Sequence, residues 1–167
     1  HRDLHSFPTR RSSDLGTHRV SYDASGRVSI PLKLRQSFPE ALREKIWVTI
    51  GYQACVAGYN EQEFIRFLNA LSGIKEAKEM EKSEIIRSFT SASTDLTFDK
   101  QGRIVLPQHL ITYAQLQDCN EVLILGAINR LEIWNPDLYQ KQLQESAQTV
   151  QTTLRSVNLD LVTQINP

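Results

Sequence analysis

Tyr22-Asp23-Ala24-Ser25-Gly26-Arg27-Val28-Ser29-Ile30-Pro31 returns 76 residues later as Phe98-Asp99-Lys100-Gln101-Gly102-Arg103-Ile104-Val105-Leu106-Pro107. Asp, Gly, Arg and Pro are identical in the two stretches, and the apolar positions held by Tyr22, Val28 and Ile30 stay apolar. The repetition continues downstream: Ile46–Gly51 (IWVTIG) answers Glu121–Gly126 (EVLILG) at a spacing of 75, and Asn60 and Asn135 close the copies at that same spacing. Internal similarity at a fixed period marks a duplicated structural unit. The chain therefore divides into a first unit at 16–60, a helical linker at 61–93, a second unit at 94–135 and a C-terminal helix and tail at 136–167, all after a leading segment at 1–15.

Each unit reads as β. Val20–Tyr22 is a short strand, Ala24–Gly26 a turn with Gly where a positive φ is needed, and Val28–Ile30 the return strand, ended by Pro31. Pro31 and Pro107 suit the first position of short helical turns over Leu32–Ser37 and Gln108–Ala114. Trp47–Ile50 pairs with Cys55–Tyr59, and Val122–Leu125 with Leu131–Trp134. So few short strands cannot close a core alone, and the two units are expected to pack together as one barrel. Helices follow each unit. Asn60 caps Glu61–Leu71, with Phe64, Leu68 and Leu71 on one face. Lys75–Phe89 turns Ile85, Ile86 and Phe89 inward, and after Asn135-Pro136 an apolar stripe runs through Tyr139, Leu143, Ala147, Val150 and Leu154. The fold class is α+β.

Composition excludes several alternatives. The chain has 167 residues, 40% hydrophobic and 23% charged, with no run near the ~20 apolar residues of a membrane span. Cys55 and Cys119 form no CxxC pair, so neither a disulfide framework nor a zinc knuckle is indicated, and both read as small apolar residues of a reducing compartment. Net charge is zero, yet it is unevenly spread: Gly16–Tyr59 carries six basic against three acidic residues, and Asn60–Asp95 five against seven. His1–Leu15 (HRDLHSFPTRRSSDL) has no strand or helix period and no signal-peptide core. It resembles a translated sequencing-adapter fragment, and is expected to be disordered and foreign to a chain whose native start is missing.

Catalytic constellations are scarce. Neither His18 nor His109 has a ligand at helical spacing, and no GxSxG, P-loop or GxGxxG occurs, so no metal or cofactor is expected. Asp23 and Asp99 form a symmetric carboxylate pair such as acid–base catalysis uses, but each has an Arg four residues on that keeps it ionised. A turn-forming role suits Asp23, Gly26, Asp99 and Gly102 better: Asp accepts N–H groups of a tight turn while Gly takes the strained dihedral. Arg27 and Arg103 then either bridge to those Asp residues or present guanidinium groups to phosphates and guanine edges. Lys33 and Arg35 extend the first basic tip, and Lys100 lies within the second.

Taken with Gly16-Thr17-His18 at the start and Gly126-Ala127-Ile128-Asn129-Arg130-Leu131-Glu132-Ile133-Trp134 at the end, the doubled motif resembles the MraZ family, duplicated members of the AbrB/SpoVT swapped-hairpin class. The likeness covers about Gly16 to Gln144. It implies a duplicated swapped-hairpin β-barrel with flanking helices, and a cytoplasmic, nucleoid-associated repressor of its own division and cell-wall operon. It also implies binding to short direct repeats in double-stranded DNA, assembly into closed homo-oligomeric rings, and no membrane or small-molecule partner. The chain departs from the family pattern at Ser25, where Lys is usual, and at Ile111, where Arg is usual, so the second unit is less basic than expected. An antitoxin or assembly module working through protein contacts is the competing reading. Duplication disfavours it.

Overall fold

The computed structural model describes residues 16–38 and 43–157; the expectation for His1–Leu15 lies outside them. The first copy supplies β1 (Gly16–Ser21), β2 (Arg27–Ser29), α1 (Leu32–Gln36), β3 (Lys45–Ile50) and β4 (Val56–Tyr59). Two helices follow, α2 (Glu61–Ser72) and α3 (Glu79–Ala92). The second copy supplies β5 (Thr94–Thr97), β6 (Arg103–Val105), α4 (Gln108–Tyr113), β7 (Glu121–Ala127) and β8 (Arg130–Trp134), and α5 (Pro136–Ser156) is the last described element. The class is α+β with antiparallel sheets.

The copies are not two neighbouring hairpin stacks. They exchange strands. The main sheet runs β1-β7-β8-β4-β3-β5, so the opening strand of each copy lies against the other copy. Ser21 pairs with Glu121 and Thr97 with Lys45, places related by the same 76-residue shift as the repeats. β4 and β8 meet at the centre, with Ala57 opposite Glu132. A second sheet consists of β2 and β6 alone, with Val28 opposite Ile104. The hairpin expected in the first copy thus shrinks to one bridge, Tyr22 to Val28, while β1 and β2 find their partners across the duplication. The main sheet does not close into a barrel by hydrogen bonds: β1 and β5 are its edges.

Side-chain alternation explains the layers. Ile46 and Val48 on β3, Val122 and Ile124 on β7, and Leu131 and Ile133 on β8 face a core completed by Val28 and Ile104 from the two-stranded sheet. Leu34 of α1 and Leu110 of α4 close it, each fully buried. The opposite face of the main sheet carries Trp47, Ala57 and Tyr59, covered by Phe64, Phe67 and Leu68 of α2. Trp47 stacks on Phe64 with centroids 5.2 Å apart, and Phe67 meets Phe89 of α3 edge-on at 4.9 Å. The hydroxyl of the buried Thr49 donates to the Phe89 carbonyl at 2.9 Å.

Helix starts follow their side chains. Asn60 Oδ1 accepts the Glu63 N–H at 2.9 Å, the cap expected from the sequence. α3 begins at Glu79 rather than Lys75 because the Glu81 carboxylate reaches back to the Lys78 N–H at 2.9 Å, closing the helix there. Ile85, Ile86 and Phe89 are half-buried, as their spacing required. α5 forms a compact unit by itself, with none of its residues buried. Among the described residues no helix is long and apolar enough to cross a membrane.

Candidate nucleic-acid interface

The repeated motif builds two matching turns. Asp23 Oδ1 accepts the N–H groups of Ser25 at 3.0 Å and Arg27 at 3.1 Å, and Asp99 Oδ1 accepts those of Gln101 and Arg103, both at 2.9 Å. Gly26 and Gly102 have φ of +79° and +74°, where a Cβ is strained. Each glycine carbonyl then accepts from the other copy: Leu106 N–H to Gly26 at 2.9 Å, and Ile30 N–H to Gly102 at 3.0 Å. The turns are thereby locked to one another.

Between them, β2 and β6 form a two-stranded ribbon with one buried and one outer side. Val28 and Ile104 point inward, fully buried. By alternation the outer side carries Arg27 opposite Val105 and Ser29 opposite Arg103. The two guanidinium groups start from diagonal corners of this face, about 7–8 Å apart at the backbone. Arg27 is exposed and Arg103 half-exposed. Their restraints differ. Arg103 Nε donates to Asp99 Oδ2 at 2.7 Å, whereas the guanidinium Nη1 of Arg27 lies 3.8 Å from Asp23 Oδ2.

Arg35 is not where the sequence suggested. Its guanidinium leans over the second turn, so close that a Cβ on Gly102 would overlap Arg35 Cζ. It also sits 6.0 Å from the Phe98 ring centroid, and its Nε donates to the Ile30 carbonyl at 3.0 Å. The equivalent Ile111 is buried against the first turn, 2.8 Å from where a Gly26 Cβ would be. Strand exchange therefore reverses the expected arrangement. The second turn gathers Lys100, Arg103 and Arg35, and the first has Arg27 beside an apolar brace. Lys33 stands exposed on α1, and Lys100 exposed within its turn.

Both Asp carboxyls are held below the usual carboxylate range. At Asp23 the Ser25 hydroxyl is the largest cause and the Arg27 N–H the next; the Arg27 charge contributes least. At Asp99 the Arg103 N–H comes first and the Arg103 guanidinium second. Ionised acceptors of this kind organise turns and do not shuttle protons near neutrality. Burial pushes the Cys55 thiol up to about 12, which keeps it protonated.

The Asn-Arg-Leu-Glu-Ile-Trp segment is tied together by its own side chains. Arg130 pairs with Glu132 at 2.7 Å and lies 5.9 Å from the Tyr52 ring centroid, while Trp134 Nε1 donates to Glu132 at 3.0 Å. Sequence reasoning overlooked Ser29 and Val105 as members of the outer face. The signal was present in parity: both lie two residues from an Arg and one from a buried Val or Ile.

A duplicated α+β chain with exchanged opening strands and a paired-arginine ribbon is the class that fold and site define. The family model described as "MraZ protein, putative antitoxin-like" matches residues 15–84 and 89–158. A protein of Cytophaga hutchinsonii named transcriptional regulator MraZ is 32% identical over 137 residues, covering 81% of this chain and 89% of its own. Proteins of that name from Ligilactobacillus salivarius and Limosilactobacillus reuteri (strain DSM 20016) are 35% and 34% identical, over 75% and 86% of this chain and 83% and 95% of theirs. The chain belongs to the MraZ family.

Proposed function

We propose that this chain is a transcriptional regulator that binds double-stranded DNA through the outer face of the β2–β6 ribbon. The observation that carries the reading is the pair of guanidinium groups on one two-stranded ribbon, held by turns that fix their direction. An antiparallel ribbon fits the major groove, where Arg can address guanine O6 and N7. Lys100, Lys33 and Arg35 supply further positive charge for phosphates. Asp23, Gly26, Asp99 and Gly102 position these groups, and no cofactor is required. The names of the relatives support the regulatory role. Reciprocal exchange of β1 and β5 supports the swapped-hairpin class, with units at 16–60 and 94–135.

In this reading the chain represses its own operon from short direct repeats, in the cytoplasm at the nucleoid, as a closed homo-oligomeric ring. A subunit of zero net charge has little non-specific attraction for DNA. A ring presenting several ribbons gains by effective concentration. The decisive experiment is titration of the chain against duplex from immediately upstream of its own coding sequence, beside a shuffled duplex, over a salt series. Preferential binding whose log affinity falls with log salt is expected. Equal or absent binding to both duplexes contradicts the reading and favours a protein-docking antitoxin.

A further inference from the structure

Two ion pairs tie down the exchanged strands, and they occupy equivalent places with reversed signs. Arg19 on β1 meets Glu121 on β7 at 2.9 Å. Lys45 on β3 meets Asp95 on β5 at 3.0 Å. The 76-residue shift that relates the repeats carries Arg19 onto Asp95 and Lys45 onto Glu121. Both pairs are diagonal neighbours in matching registers, Arg19 standing opposite Leu123 and Asp95 opposite Trp47. In the first copy both the offered strand and the receiving strand are basic at this place; in the second copy both are acidic.

That pattern bears on which strands can join. If β1 paired with β3 of its own copy, or with β3 of another chain's first copy, Arg19 would face Lys45. If β5 paired in the same way with β7, Asp95 would face Glu121. Opposite charges across strands stabilise a sheet and like charges oppose it. We propose that these four residues form a pairing code, by which a first copy accepts only a second copy and strand exchange between like copies of different chains is rejected. The side chains are roughly half exposed, at 58% and 50% in one pair and 61% and 44% in the other. Each pair is therefore weak alone and sensitive to salt. Discrimination comes from the difference between attraction and repulsion, counted at two sites.

The test exchanges the charges without altering composition or net charge. In Arg19→Asp/Asp95→Arg both cross-copy contacts become like-charged, and the contacts between like copies become attractive. At low salt its melting temperature is expected to fall by about 2–4 °C, with the gap narrowing as salt rises and with species heavier than the wild-type assembly in light scattering. Adding Lys45→Glu and Glu121→Lys restores both attractions, and the quadruple variant is expected to melt and elute like the wild type. A double variant as stable as the wild type at low salt, or a quadruple variant no better than the double, overturns the proposal.

Discussion

Gly26 and Gly102 hold the strained position of each turn, and their environments make alanine costly in two ways. The positive φ alone costs about 1–2 kcal/mol. A Cβ would also meet Ile111 Cδ1 at 2.8 Å in one turn and overlap the Arg35 guanidinium in the other. Gly26→Ala and Gly102→Ala should each lower stability by at least about 1–2 kcal/mol in urea titration, with Gly102→Ala also displacing Arg35. The carboxylates give a second prediction at this scale. Asp23 and Asp99 have depressed pKa values in the fold, so their contribution is complete above about pH 4, the ordinary carboxylate value, and is lost as pH falls through the lower folded values. Asp99→Asn should flatten the acid limb of a stability-versus-pH curve; an unchanged acid limb would show that the turn does not depend on the ionised carboxylate. These four turn residues are legible from the repeated motif alone. The position of Arg35 is not: its neighbours in sequence belong to α1 of the first copy, and only pairing across 76 residues brings it to the second turn.

Among elements, α2 is fastened at its start and along one face. Asn60→Ala removes the acceptor for the Glu63 N–H and should cost about 0.5–2 kcal/mol. Phe64 is 6% exposed and its ring lies 5.2 Å from that of Trp47 and 5.9 Å from that of Tyr59. Phe64→Ala should cost about 3–5 kcal/mol, read from the chemical denaturation midpoint. A loss below about 1 kcal/mol would mean that α2 is not needed to cover the sheet. Strand positions are legible to within a few residues from alternation and flanking Gly and Pro. Their partners are not, because period-two patterning says which face is buried and nothing about which strand lies alongside. The hairpin expected between Val20–Tyr22 and Val28–Ile30 is locally reasonable. It yields because β1 gains a six-residue register against β7 instead.

At the scale of the whole molecule, duplication lets one chain complete a core that neither copy could close. α5 carries Leu143, Val150 and Leu154 with roughly half of each exposed, at 45%, 51% and 52%. Surface of that kind is commonly covered by another subunit, and light scattering should report an assembly well above a dimer; a monomer at micromolar concentration would contradict the ring. On the ribbon, two arginines 76 residues apart in sequence share one face. The most direct measurement is the affinity of Arg27→Ala/Arg103→Ala for the upstream duplex, beside its melting temperature. Each lost base contact is worth about 1–3 kcal/mol, so the double variant should lose most of its preference for that duplex over a shuffled one. It should stay folded, melting only slightly below the wild type because the exposed Arg103–Asp99 pair is lost. Binding indistinguishable from wild type by a folded double variant would contradict the account.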